Sequence, residues 1–149
     1  MKDVAGKVAF ITGGASGMGL GMARAFSAAG MKVMIADIEQ KNLDRVVAEL
    51  RAQGRDVAGV HTDVTNRDSV FAAAQATIDR FGKVHVLVNN AGIGASGRAE
   101  TTSVKNWRWT IDVNMWGVVW GLQAFMPLIE SHGEGGHVGA REQQIAKRA

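Results

Sequence analysis

Residues 7–19, KVAFITGGASGMG, restrict the fold more than any other stretch of this chain. The run KVAFIT (7–12) is apolar at consecutive positions and short, so it reads as a strand buried on both faces. Such a strand needs a covering layer on each side. Glycines at 13, 17 and 19 follow at once, and a helical pattern begins there. Strand, glycine loop and helix in direct succession point to an α/β chain.

The rest of the chain repeats the alternation. KVMIAD (32–37) and KVHVLVNN (83–90) are further buried strands, with DVAGVHTD (56–63) a weaker one. Between them Leu43, Val46, Val47 and Leu50 recur at helical spacing, as do Val70, Ala74, Ile78 and Phe81. TNRD (65–68) reads as a capping-box start for the second set, with Asp in place of Glu. One long helix is expected over about residues 104–130, carrying Trp107, Trp109, Trp116 and Trp120 as packing residues. The expectation is a Rossmann-type doubly wound parallel sheet of about four strands with flanking helices, joined by right-handed crossovers. This domain spans residues 1–138. The segment 139–149 changes abruptly to a charged, glutamine-rich composition and reads as a divergent tail.

Composition excludes several classes. The chain has no cysteine, hence no disulfide and no thiolate chemistry. Its net charge of +3 is weak and scattered, which argues against nucleic acid. No apolar run reaches membrane-spanning length, so a cytoplasmic protein is expected. The histidines at 61, 85, 132 and 137 have no metal-ligand spacing, and no metal is expected.

The first loop, TGGASGMG (12–19), carries the chemistry. Its glycines permit a sharp turn, close approach of a ligand and tight packing of helix on strand. A helix N-terminus there offers free N–H groups to a pyrophosphate. Thr12, Gly13, Ser16, Gly17, Met18 and Gly19 are therefore candidate cofactor-binding residues, against the plainer reading of a turn. Asp37 ends the second strand, 24 residues after Gly13. Its carboxylate suits the hydroxyls of an adenosine ribose and repels a 2′-phosphate, while neither Ser16 nor Ile38 is basic. NAD is favoured over NADP. A solvated strand-end Asp is the competing reading.

With these residues in place, the chain resembles the N-terminal, cofactor-binding part of the short-chain dehydrogenase/reductase family, over about residues 5–138. The family's T-G-x-x-x-G-x-G is matched by Thr12, Gly13, Gly17 and Gly19, and its N-N-A-G by Asn89, Asn90, Ala91 and Gly92. Asp63 and Val64 match the acidic position near adenine, and Asn114 the helix asparagine in DVNMWG. The resemblance implies an NAD-dependent oxidoreductase moving a hydride between nicotinamide and a small-molecule alcohol or ketone. It implies that Asn89 to Gly92 brace the central strands, and that Asn114 holds a water in a proton relay, a catalytic role. It also implies a homo-oligomer with the long helix at a subunit interface. The 93–98 loop is the candidate substrate contact.

One departure stands out. The family's catalytic Ser and Tyr-x-x-x-Lys follow a fifth strand, and this sequence contains no tyrosine. Lys147 has Gln143 four residues before it, but an amide cannot exchange a proton as a phenol does. The expectations are therefore a chain inactive alone, truncated or frameshifted after Val138 or a genuine short form, or a non-catalytic dinucleotide- or partner-binding module. A fifth strand reduced to His137 and Val138 would leave 84–88 as an apolar edge prone to aggregation.

Overall fold

The structure, a computed structural model, describes residues 3–94 and 98–141. Five parallel strands form one sheet in the order β3-β2-β1-β4-β5. They are β1 (Val8–Thr12), β2 (Lys32–Asp37), β3 (Val57–His61), β4 (Val86–Asn89) and β5 (His137–Ala140). The crossovers contain α1 (Gly17–Ala28), α2 (Gln40–Ala52) and α3 (Arg67–Phe81). The connection from β4 to β5 holds α4 (Val104–Ile111), a π-helical turn (Asp112–Trp116) and α5 (Gly117–Ser131). This is the expected Rossmann-type α/β architecture, with five strands rather than about four. No helix among the described residues is long and apolar enough to cross a membrane.

Consecutive residues of β1 explain why both faces are covered. Phe10 packs on one side with Val70, Leu87 and Phe125, beneath α3 and α5. Ile11 packs on the other with Ile35, Leu43, Val46 and Leu50, beneath α2. The rings of Phe10 and Phe125 lie 4.2 Å apart and both side chains are fully buried, so the first strand is locked to α5 directly.

Three local expectations change. The cap of α3 is Asn66, whose side chain accepts from the Ser69 N–H, while Thr65 donates both its N–H and its hydroxyl to Asp63. The acceptor at 63 draws Thr65 into a turn of its own, and the helix starts one residue later. The helix of 104–130 is interrupted at Asp112–Trp116 by the π-helical turn, centred on Asn114. Strand β4 is not an edge. It pairs with β5 from Val86↔His137 to Asn89↔Ala140, and Val84 and Leu87 are fully buried.

The turn before β5 accounts for that pairing. Gly133 and Gly135 adopt positive φ, and a Cβ at Gly136 would lie 2.4 Å from the His85 carbonyl oxygen. The backbone can therefore press against β4, where the His137 N–H donates to His85 O. Arg141 N–H reaches Asn89 O at the far end, so the sheet continues past residue 138 into the segment read as tail. The outer edge passes to β5, whose four residues are exposed. Residues 95–97 of the 93–98 loop, and 142–149 with Gln143 and Lys147, lie outside the described residues.

Candidate functional site

The site forms at the C-terminal ends of β1, β2, β3 and β4, where the connections from β1 and β4 leave toward opposite faces of the sheet. Crevices at such switch points are where open parallel sheets bind ligands. Thr12 closes β1, and its hydroxyl oxygen accepts from the N–H groups of Asn90 and Ala91, each at 3.0 Å. The Asn90 amide returns the contact, donating to Thr12 O at 2.9 Å and Gly13 O at 3.2 Å. Two loops far apart in sequence are thereby sewn into one surface.

The glycines make this closeness possible. Gly13 has φ +62°, and a Cβ there would sit 3.0 Å from the Ala91 Cα. At Gly19 a Cβ would fall 2.1 Å from the Gly13 carbonyl oxygen. Ser16 is the N-cap of α1 but its side chain makes no capping bond, and Ser16, Gly17 and Met18 are exposed. The N–H groups at 17–19 stand at a helix start, where backbone donors have no intrahelical acceptor.

Asp37 is buried at the end of β2. One carboxylate oxygen accepts from the Ala15 N–H at 2.9 Å and the other from the Glu39 N–H at 3.0 Å. The carboxylate thus fixes the glycine loop and the start of α2, and each oxygen keeps a second lone pair. Asp63 is built similarly: its N–H donates to the Ser69 hydroxyl and Oδ1 takes both donors of Thr65. A Cβ at Gly117 would lie 3.1 Å from Val64, so the helix seats directly on that residue.

A cleft of about 250 Å³ gathers most of the predicted residues: Gly13, Ser16, Asp37, Asp63, Val64, Ala91 and Gly92. Thr12, Gly17, Met18, Gly19 and Asn90 do not line it; Thr12 and Asn90 join the two loops that do by hydrogen bonds, and Gly19 packs against Gly13. Ile38, Thr62, Thr65, Trp109 and Val113 line it without having been singled out as site residues, and so does Ile93, the first residue of the loop expected to contact substrate. Trp109 and Val113 stand four apart on the helical stretch before Asn114, and that spacing is the one signal that could have found them. Packing was expected of the tryptophans, and Trp116 and Trp120 do stack at 5.0 Å, but Trp109 is 56% exposed. A depression of about 320 Å³ between α2 and β3, lined by Leu43, Val47 and Gly59 among others, shares no residue with this cleft.

Asn114 is committed on both polar atoms. Its Oδ1 accepts from the Ile93 N–H at 2.9 Å and its Nδ2 donates to Ile93 O at 2.8 Å. It pegs the loop after β4 to the π-helical turn. The bracing expected of Asn89 and Asn90 is divided between them. Asn90 braces, whereas the buried Asn89 amide has no hydrogen-bond partner among the described residues, nor has Asn90 Oδ1. Asn89 fits only because Gly121 faces it, where a Cβ would lie 2.2 Å from Asn89 Oδ1.

At the opposite end of the sheet, residues that sequence spacing kept apart come together. His85, His132 and Glu134 place ligand-type atoms within 4.8 Å of one another, although no metal-ligand spacing had been read. Their valences are already committed. Glu134 accepts from Lys7 at 2.6 Å, from Lys83 and from His85 at 3.0 Å. These hydrogen bonds, that from Lys7 foremost, hold its carboxyl well below the usual carboxylate range. His85 Nδ1 accepts the Val8 N–H, and His132 Nε2 lies 2.9 Å from Val84 O. Burial lowers the pKa of His85 more than Glu134 raises it, so the ring is held neutral. The group is a staple joining β1, β4 and the turn before β5.

Comparison with known proteins agrees with this geometry. A family model described as short chain dehydrogenase matches residues 7–138. The chain is 38% identical over 139 residues to a C alpha-dehydrogenase of Sphingobium sp., covering 93% of this chain and 46% of that protein. It is 41% identical over 136 residues to a trans-4-hydroxycyclohexanecarboxylate dehydrogenase of Sinomonas cyclohexanicum, covering 87% and 52%. Among solved structures, a short chain dehydrogenase/reductase from Burkholderia phymatum in complex with NAD superposes with a TM-score of 0.91 at 43% identity. That match covers 94% of this chain and 50% of the other. The chain spans about half the length of the relatives it matches. With the glycine loop, the Asn90 brace and the Asn114 peg lying in the matched region, the chain belongs to the short-chain dehydrogenase family.

Proposed function

We propose that these residues bind and orient a nicotinamide dinucleotide, NAD in preference to NADP, for hydride exchange with a small alcohol or ketone. The observation that carries the reading is one cleft bordered by the open N-terminus of α1, through Ser16, and by the Asp37 carboxylate. The residues fit such a group. The loop carries glycine at 13, 14 and 17, which lets a pyrophosphate approach its backbone, and Asp37 retains a lone pair on each oxygen after its two backbone contacts. A bound nicotinamide ring supplies or accepts the hydride.

The chain's own residues bind and orient that group. Among those described, none is placed to take the proton that an alcohol gives up with its hydride; the resemblance assigns that role to a tyrosine, and this sequence has none. The N–H groups at 17–19 and the helix dipole favour pyrophosphate oxygens. Asp37 accepts ribose hydroxyls. Asn90 and Thr12 hold the β1 and β4 loops together, and Asn114 positions Ile93 and the backbone beside the nicotinamide half. Since both its polar atoms are spent on Ile93, Asn114 acts in this reading as a positioning residue. The relatives named as dehydrogenases support hydride exchange, and the neighbour solved with NAD supports the cofactor class. The exposed Ile111, Met115, Trp116 and Leu122 support self-association through α4 and α5.

Titration of the purified chain with both cofactors tests the reading. NAD should bind roughly 5- to 150-fold tighter than NADP, the usual span for one differential contact. Asp37→Asn keeps the shape, removes the charge and should narrow that gap. Equal affinities in the unmodified chain would remove Asp37 from this role, and binding of neither would remove the reading itself.

A further inference from the structure

We infer that Trp109 is a stacking platform for the adenine base, a binding residue at the adenosine end of the cleft. The inference rests on the dinucleotide reading above and adds a residue to it. Trp109 lies on α4 and lines the same cleft as Asp37, Ile38, Asp63 and Val64. Asp37 marks where the ribose hydroxyls would be held, so these neighbours surround the position of the attached base.

The chemistry of the walls matches a flat heteroaromatic ring. Val64 and the 54% exposed Ile38 offer apolar surface on the strand side. Val113 and Trp109, four residues apart on the helical stretch, line the same cleft. Thr62 and Asp63 supply polar atoms at the margin. Trp109 is otherwise unemployed: among the described residues its indole makes no ring stack and no side-chain hydrogen bond, and more than half of it faces solvent. A large aromatic so placed, beside a cleft and unsupported by neighbours, has the surface a base would cover. Stacking on such a ring asks only for a flat π-face, which an adenine presents.

Fluorescence titration of the full chain with AMP, nicotinamide mononucleotide and NAD tests the assignment. AMP and NAD should quench tryptophan emission in the unmodified chain, and most of that quench should vanish in Trp109→Phe while affinity stays within about threefold. Trp109→Ala should weaken AMP and NAD by roughly 5- to 150-fold, the range of base–aromatic stacking, and leave nicotinamide mononucleotide unchanged. Calorimetry supplies the affinities where the optical signal is lost. AMP and NAD affinities unchanged in Trp109→Ala would overturn the platform while leaving the Asp37 reading intact. So would equal losses for both mononucleotides, or a change only in oligomeric state. Failure of the unmodified chain to bind NAD or AMP would overturn the dinucleotide reading, and the platform with it.

Discussion

Gly19→Ala is the sharpest probe of how the glycine loop is built, because the added methyl has nowhere to go. Its Cβ would lie 2.1 Å from the Gly13 carbonyl oxygen and 2.5 Å from Asn90 Nδ2. Asn90 Nδ2 is the atom that donates to Thr12 O and Gly13 O, so relief of the clash must open the contact between the β1 and β4 loops. Overpacking of this kind costs about 1–3 kcal/mol, and each hydrogen bond lost adds about 1 kcal/mol. Alanine's better helix propensity returns about 1 kcal/mol. The net destabilisation is on the order of 1–4 kcal/mol, which lowers Tm by roughly 2–4 °C per kcal/mol for a chain near this length.

Gly17→Ala is the matched control. Nothing lies within 4 Å of its Cβ, but φ is +50°, so the penalty is purely conformational, about 1–2 kcal/mol. Thermal melts and NAD titrations of both variants separate steric from conformational demand. Gly19→Ala should melt below Gly17→Ala and lose more affinity. A Gly19→Ala protein that melts within about 1 °C of the unmodified chain and binds NAD as well would refute the reasoning.

Two further outcomes follow from the geometry. Asn114→Ala should free the loop at Ile93 and weaken NAD more than AMP, because the proposed binding mode puts the nicotinamide half beside this peg; equal effects on both ligands in calorimetry would contradict this. Acid should destabilise the fold through the staple beneath the sheet. His85 titrates below its ordinary 6.5 in the folded protein, so the unfolded chain binds the extra proton first and stability falls as pH drops below about 6.5. Glu134, held low by its lysines, adds a loss of the same sign below its ordinary 4.5. Melts from pH 8 to pH 4 check this, and a Tm flat down to pH 5 would count against it.

Most of the fold was legible because its signals are local. The apolar runs at 7–12, 32–37 and 83–90 each became a central strand, and Leu43, Val46 and Leu50 became the buried face of α2. What escaped was set by contacts between distant residues. Gly136 reads in sequence as one more turn glycine, yet it is the point where the chain presses on His85 O and starts β5. The π-helical turn at Asp112–Trp116 was hidden for the same reason. Its sequence is helical in pattern, and the asparagine it centres on is pinned to Ile93, 21 residues away.

The site divides along the same line, and the two ends of the sheet show why residue type alone could not separate them. The T-G-x-x-x-G-x-G and N-N-A-G segments are readable because each needs particular residues at short spacing. Trp109 carries no such mark, since its place in the cleft depends on where the fold brings α4 relative to the residues that follow β2 and β3. His85, His132 and Glu134 have the composition of a ligand-binding cluster, but most of their partners lie 48 to 127 residues away, and every bond satisfies another group of the same protein. Asp37 looks plainer in sequence and keeps acceptor capacity after its two backbone contacts. The N–H groups opening α1 have no acceptor within their helix. Unspent hydrogen-bonding capacity facing a shared cleft distinguishes a binding site from a staple, and that quantity exists only once the chain has folded.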